Sequence, residues 1–198
     1  MSESRAILVS YVGVVASVIF IAAGKLAYWQ GLLYLTLALI GTTLAHVLAK
    51  PGSNIATERA SEAGKGEGWD KRLLGVSFVV SIVMFVVAGL DSGRFGWSGE
   101  VPLAITLAGV ILMLLGQTLF AVARRQNEFF SSTVRIQDER GHRVVDTGLY
   151  RRIRHPGYLG MLISLLVFPL VLNSYWSFIS ACRLPLCWYS GPCSKTAI

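Results

Sequence analysis

The stretch Asp146-Thr147-Gly148-Leu149-Tyr150-Arg151-Arg152-Ile153-Arg154-His155-Pro156-Gly157-Tyr158-Leu159-Gly160 places three arginines and a His-Pro pair in front of an uncharged run that continues to residue 179. About 18 or more apolar residues suffice to cross a bilayer as a helix. Charge therefore stops here where a membrane helix begins. Four further uncharged runs of that length precede it, at residues 6–23, 27–49, 73–90 and 101–123.

Composition agrees. Of 198 residues, 54% are hydrophobic and only 15% charged, with a mean hydropathy of +0.58. A soluble domain carries about 25% charged residues, so this chain lacks the polar surface to face water all round. The sequence predicts an all-α integral membrane protein with about five transmembrane helices and a cytosolic cofactor-binding loop before the last one. Residues 1–179 form one membrane domain, and residues 180–198 are an atypical tail. The first run is read as a retained helix rather than a cleaved signal peptide, because it is long for an apolar signal core.

The net charge of +7 does not point to nucleic acid, because the cations sit in loops between apolar runs. Fourteen of the eighteen lysines and arginines fall on one side if the N-terminus, residues 50–72 and residues 124–155 share it. Positive loops stay in the cytosol, so the N-terminus and the fourth loop are expected there. Trp29, Tyr28, Phe95 and Trp97 read as anchors at the membrane interface. His46 and Gln117 read as structural polar residues, and Gly109 and Gly116 as one small-residue face for a neighbouring helix. The dinucleotide glycine fingerprint, the phosphate-loop pattern and the nucleophile-elbow serine are all missing. Cys182, Cys187 and Cys193 match no metal-ligand spacing. Nothing in the sequence sets an oligomeric state.

The fourth loop is where chemistry concentrates. Val134-Arg135-Ile136 and Arg143-Val144-Val145 alternate as a small hairpin would, and Gly148 suits a turn with positive φ. His155 precedes a proline and is pushed to an extended conformation. Pro156 fits the first position of a helix. The amides of Gly157, Tyr158 and Leu159 would then face the loop, and a helix start beside arginines attracts a carboxylate or phosphate. Tyr150 and Tyr158 could flank a flat ring.

Gly148-Leu149-Tyr150, then Arg154-His155-Pro156-Gly157-Tyr158-Leu159-Gly160, with His142-Arg143-Val144-Val145 upstream, resembles the isoprenylcysteine carboxyl methyltransferase family, its bacterial relatives and the related phospholipid N-methyltransferases. The resemblance implies a membrane methyltransferase that uses S-adenosylmethionine without a Rossmann domain. It implies a lipid-linked or hydrophobic methyl acceptor, and residence in a bacterial inner membrane. By the same resemblance His142, Arg143, Val144 and Val145 would line the cofactor and Tyr150 would pack on it. His155, Pro156, Gly157 and Tyr158 would hold its amino-acid end, with Arg135 or Gln137 as an upstream polar contact. Two other functions compete: N-methylation of a phospholipid or small amine, and a non-catalytic basic loop that binds anionic head groups. No catalytic residue is assigned and no metal is expected.

The family's next helix carries an arginine and an acidic pair, whereas residues 180–198 contain no Asp or Glu. Read from the third base of the Trp188 codon, the codons through Ala197 permit Val-Phe-Arg-Thr-Leu-Leu-Glu-Asp-Arg. The tail from Ser180 is therefore expected to be a frame-shifted remnant, and the chain as written to be inactive or nearly so.

Overall fold

The computed structural model describes residues 3–48, 68–127 and 147–179. Five α-helices lie among them: α1 Glu3–Ala23, α2 Trp29–Val47, α3 Gly68–Ala88, α4 Leu103–Gln126 and α5 Pro156–Val171. A π-helical segment, Gly89–Phe95, extends α3, and a 3-10 turn, Gly148–Arg151, leads into α5. No strand occurs among the described residues.

This is an all-α membrane protein. Helix α2, the stretch Phe78–Phe95 and helix α4 are each long and apolar enough to span a bilayer. Val12–Ala23 and α5 are shorter apolar helices. Many large apolar side chains face outward, among them Ile21, Val79, Leu107, Ile111 and Leu115. Water would penalise that surface, whereas lipid tails match it.

Glycines set how closely the helices approach. A Cβ at Gly160 of α5 would lie 2.6 Å from the Gly116 carbonyl oxygen and 2.7 Å from the Phe120 amide of α4. One at Gly109 would lie 2.8 Å from the Leu170 side chain. The expected small-residue face of α4 is thus the seam against α5, where dispersion contacts drive association within lipid. A second seam joins α1 to the π segment, with Gly89 against Ala22 and Gly93 against Ala23. Between the seams, Tyr34 of α2, Phe85 of α3 and Phe168 of α5 meet with centroids 4.9–5.4 Å apart, Phe168 edge-on to both partners and Tyr34 tilted at 57° to Phe85; edge-on contact is a geometry that ring quadrupoles favour. Gln117 packs on Gly41 of α2, and its Oε1 is buried without a hydrogen-bond partner among the described residues. It fills the α2–α4 contact by volume, and Oε1 forms no interhelical hydrogen bond there.

The structure corrects three expectations. The third run does not give way to a loop at Asp91: helical backbone continues to Phe95 and stops at Gly96, which adopts φ +67°. Pro102 stands just before α4, and its carbonyl accepts the Ile105 amide. Tyr28 is fully buried rather than interfacial. The hydroxyls of Tyr28 and Ser92 are hydrogen-bonded at 2.6 Å, which lets the phenol leave the interface. The fifth run ends as a helix at Val171, well before residue 179. Asn173 takes φ +54°, a region open to asparagine, and its Oδ1 accepts the Thr106 hydroxyl at 2.7 Å. At about 1.5 Å per residue, sixteen residues reach roughly 24 Å, short of the ~30 Å hydrocarbon core.

That turn closes a buried polar cluster. Asp91 is wholly buried, and its carboxylate accepts the Ser98 amide at 2.7 Å, the Ser98 hydroxyl, and the Ser174 hydroxyl at 2.6 Å. The Ser98 hydroxyl oxygen accepts the Tyr175 amide at 2.8 Å, and Ser92 donates to the Leu172 carbonyl at 2.6 Å. One end of the bundle is thereby tied together by groups from the α1–α2 link, the π segment, α4 and the turn after α5.

Candidate active site at the basic end

At the opposite end, α4 runs out through Arg124, Arg125 and Gln126. Asn127 is extended, which turns the chain away from the helix axis. The chain returns at Thr147 beside the point where it left. The Gln126 side chain makes the join, its Oε1 accepting the Leu149 amide at 2.8 Å. Gly148 sits directly on that carboxamide at φ +57°, and a Cβ there would lie 2.6 Å from Oε1. The expected positive φ is therefore present, and it serves the Gln126 contact.

The 3-10 turn that follows is closed by the Tyr150 amide on the Thr147 carbonyl and the Arg152 amide on the Leu149 carbonyl, each 3.1 Å. It presents Tyr150 half-buried, with its side chain hydrogen-bonded to Asn127. Burial pushes the Tyr150 pKa above its usual value, and the Asn127 hydrogen bond partly offsets the shift. Gln126 and Asn127 thus hold the backbone and the phenol of one turn. Sequence reasoning missed both. Their only advance signal was position, as polar residues closing an apolar helix.

Helix α5 begins as expected. His155 is non-helical at φ −133°, and Pro156 occupies the first helical position. The Leu159 amide is already taken by the His155 carbonyl at 3.1 Å, which corrects its assignment as an outward donor. Pro156 has no amide to leave unpaired in the first turn. Pro156 and Gly157 are buried, while His155 is exposed and Tyr158 about half so. The two rings meet with centroids 5.7 Å apart. Arg151, Arg152 and Arg154 are exposed around them.

The structure therefore brings Tyr150, His155, Pro156, Gly157 and Tyr158 into one short segment fastened to α4. Tyr158 pairs with His155, and Tyr150 is held by Asn127. His142, Arg143, Val144, Val145, Arg135 and Gln137, with the expected hairpin, lie outside the described residues, as does the tail from Ser180. Among the described residues no cluster of His, Cys, Asp or Glu could hold a metal ion.

Residues 108–188 match the model of the Isoprenylcysteine carboxyl methyltransferase (ICMT) family. That segment, which is less than half of the chain, is similar to the ICMT family. Two curated relatives, each named "Probable protein-S-isoprenylcysteine O-methyltransferase", come from Oryza sativa subsp. indica and subsp. japonica. Each is 30% identical over 95 residues, covering 41% of this chain and 48% of the relative. The chain thus spans about half the length of the curated relatives it matches. No solved structure matches. The ICMT segment takes in most of α4, the Gly116–Gly160 contact, the 3-10 turn and all of α5. Asp91, Ser98 and Thr106 lie ahead of it.

Proposed function

We propose that this chain is a membrane-bound, S-adenosylmethionine-dependent methyltransferase of the ICMT type, acting on a lipid-linked or hydrophobic acceptor, with its basic end in the cytosol. One observation carries the reading: the ICMT segment contains Gln126, Asn127, Tyr150 and residues 155–158, which the structure fastens together where α4 ends. The relatives' name favours the carboxyl group of an isoprenylated cysteine as acceptor and O-methylation over N-methylation.

The donor set suits the cofactor. Its α-carboxylate matches the start of α5, where the positive end of the helix dipole and the exposed arginines supply positive charge. Tyr150, His155 and Tyr158 offer ring faces for a flat base. When bound, the cofactor supplies a methyl group already activated on a sulfonium sulfur. The chain's residues need only orient the two reactants and exclude water. A carboxyl acceptor is ionised at neutral pH, so no general base is required of them.

Binding of S-adenosylhomocysteine to the detergent-solubilised chain, measured by calorimetry, tests this. His155→Ala and Tyr158→Ala should each weaken it at least tenfold with helical circular dichroism unchanged. No binding by the unaltered chain, or binding only to anionic vesicles that fades with salt, would instead assign the basic end to lipid head groups.

A further inference from the structure

The end of the bundle opposite Gln126 carries two basic residues that no acidic partner among the described residues engages. The turn after α1 closes through Gly24, at φ +68°, whose amide bonds the Phe20 carbonyl at 3.0 Å. Lys25 follows and is exposed. Arg94 reaches the same point from the π segment: its Nε lies 3.3 Å from where a Gly24 Cβ would stand. Its described partner is the Phe95 ring, 6.0 Å away, and Phe95 stacks on Trp97 at 5.1 Å and 11°. Among the described residues neither cation forms an ion pair or hydrogen bond. Asp91, three residues from Arg94, is already engaged by Ser98 and Ser174. Glu100 is exposed beyond Trp97 and forms no ion pair among the described residues.

Below these cations lies an open cleft of about 380 Å³, lined by Ser17, Phe20, Ile21, Gly24, Lys25 and Leu26. Its wall is mostly apolar and faces the bilayer, with Ile21 and Leu26 among the most exposed apolar side chains. Cations are sparse at this end: the links between helices contribute only Lys25 and Arg94. Both nevertheless fall at one cleft mouth. Five guanidinium donors with no acceptor among the described residues, an ammonium group and a stacked aromatic pair stand above an apolar trough. This is a layered match to a phosphate, a glycerol level and an acyl chain. We infer that this cleft binds one anionic phospholipid, its phosphate held by Lys25 and Arg94 and its upper acyl chain lying along Phe20, Ile21 and Leu26.

Native mass spectrometry of the full chain can read this directly, comparing phosphatidylglycerol with phosphatidylcholine of the same acyl chains. The basic end also attracts anions, so the comparison is made in an Arg151→Gln, Arg152→Gln, Arg154→Gln background. One phosphatidylglycerol should remain bound there with a preference of about thirtyfold, given about 1 kcal/mol for each of the two basic residues at a membrane surface. Adding Lys25→Gln and Arg94→Gln should remove the preference, while Arg94→Lys, which keeps the charge, should retain most of it. Because all five side chains are exposed, the melting temperature should stay unchanged. An equal preference with and without Lys25 and Arg94, or none in the arginine-depleted background, would overturn the inference.

Discussion

At one end of the bundle Asp91 is wholly buried and takes its hydrogen bonds from Ser98 and Ser174. At the other, Arg151, Arg152 and Arg154 stand exposed around a helix start that one side chain, Gln126, fastens to α4. The first end joins elements far apart in the sequence and satisfies its polar groups internally. The second joins α4 to α5 locally and leaves its charges outward. A cluster that consumes its own donors and acceptors can hold helices, while donors aimed outward can hold a ligand. The ICMT segment holds all of the second end's named residues, whereas of the first end it holds Ser174 but neither Asp91 nor Ser98.

If the ends are separable, breaking the buried one should cost stability and spare binding. Asp91→Ala leaves the Ser98 and Ser174 donors buried without an acceptor. That should cost about 3 kcal/mol, since unsatisfied partners of a charged group are the expensive case. Asp91→Asn keeps an acceptor oxygen and should cost about half as much. Thermal unfolding reads both. S-adenosylhomocysteine affinity should stay within about threefold at temperatures where the variant is folded, because the Gly116–Gly160 seam still holds the start of α5. Equal losses of stability and binding would merge the two ends into one unit.

The opposite perturbation is smaller. Gln126→Ala removes one hydrogen bond, worth about 1 kcal/mol, and should weaken S-adenosylhomocysteine about fivefold. Gln126→Glu keeps the acceptor and should stay within about twofold. Amide exchange at Leu149 should quicken in the alanine variant alone. That readout follows the turn whether or not the ligand binds.

What could be read in advance follows from how far each interaction reaches along the chain. Pro156 at a helix start, the positive φ of Gly148 and the shared face of Gly109 and Gly116 are set within a few residues, and the structure has all three. Asp91 looked like an ordinary loop residue because its partners lie 7 and 83 positions away. Gln126 meets Leu149 across 23 positions. Tyr28 resembles every interfacial tyrosine until the tertiary fold supplies Ser92. The fifth helix stops at Val171 for the same reason. Residues 173–174 use their side chains across the bundle, which an apolar run length does not encode.

The smallest effect expected is that of pH on the basic end. Burial raises the Tyr150 pKa in the folded state. Its contribution is therefore complete below the unfolded value of about 10 and is lost as pH rises through the higher folded value. Unfolding free energies of the unaltered chain and Tyr150→Phe, compared between pH 7 and 11, should differ by a constant offset of about 1 kcal/mol in the neutral range. The curves should converge only at the alkaline end. Convergence near neutrality would mean that the phenol is not held as described.

The central claim is that the cofactor occupies the segment running from the 3-10 turn to the start of α5. Photocrosslinking of methyl-labelled S-adenosylmethionine to the full-length chain in membranes, followed by peptide mapping, tests it most directly. The label should fall on peptides covering residues 147–160, be competed by S-adenosylhomocysteine and be lost in Tyr158→Ala. Competed label on residues 24–31 or 91–102 at the opposite end, or none anywhere, would contradict the account.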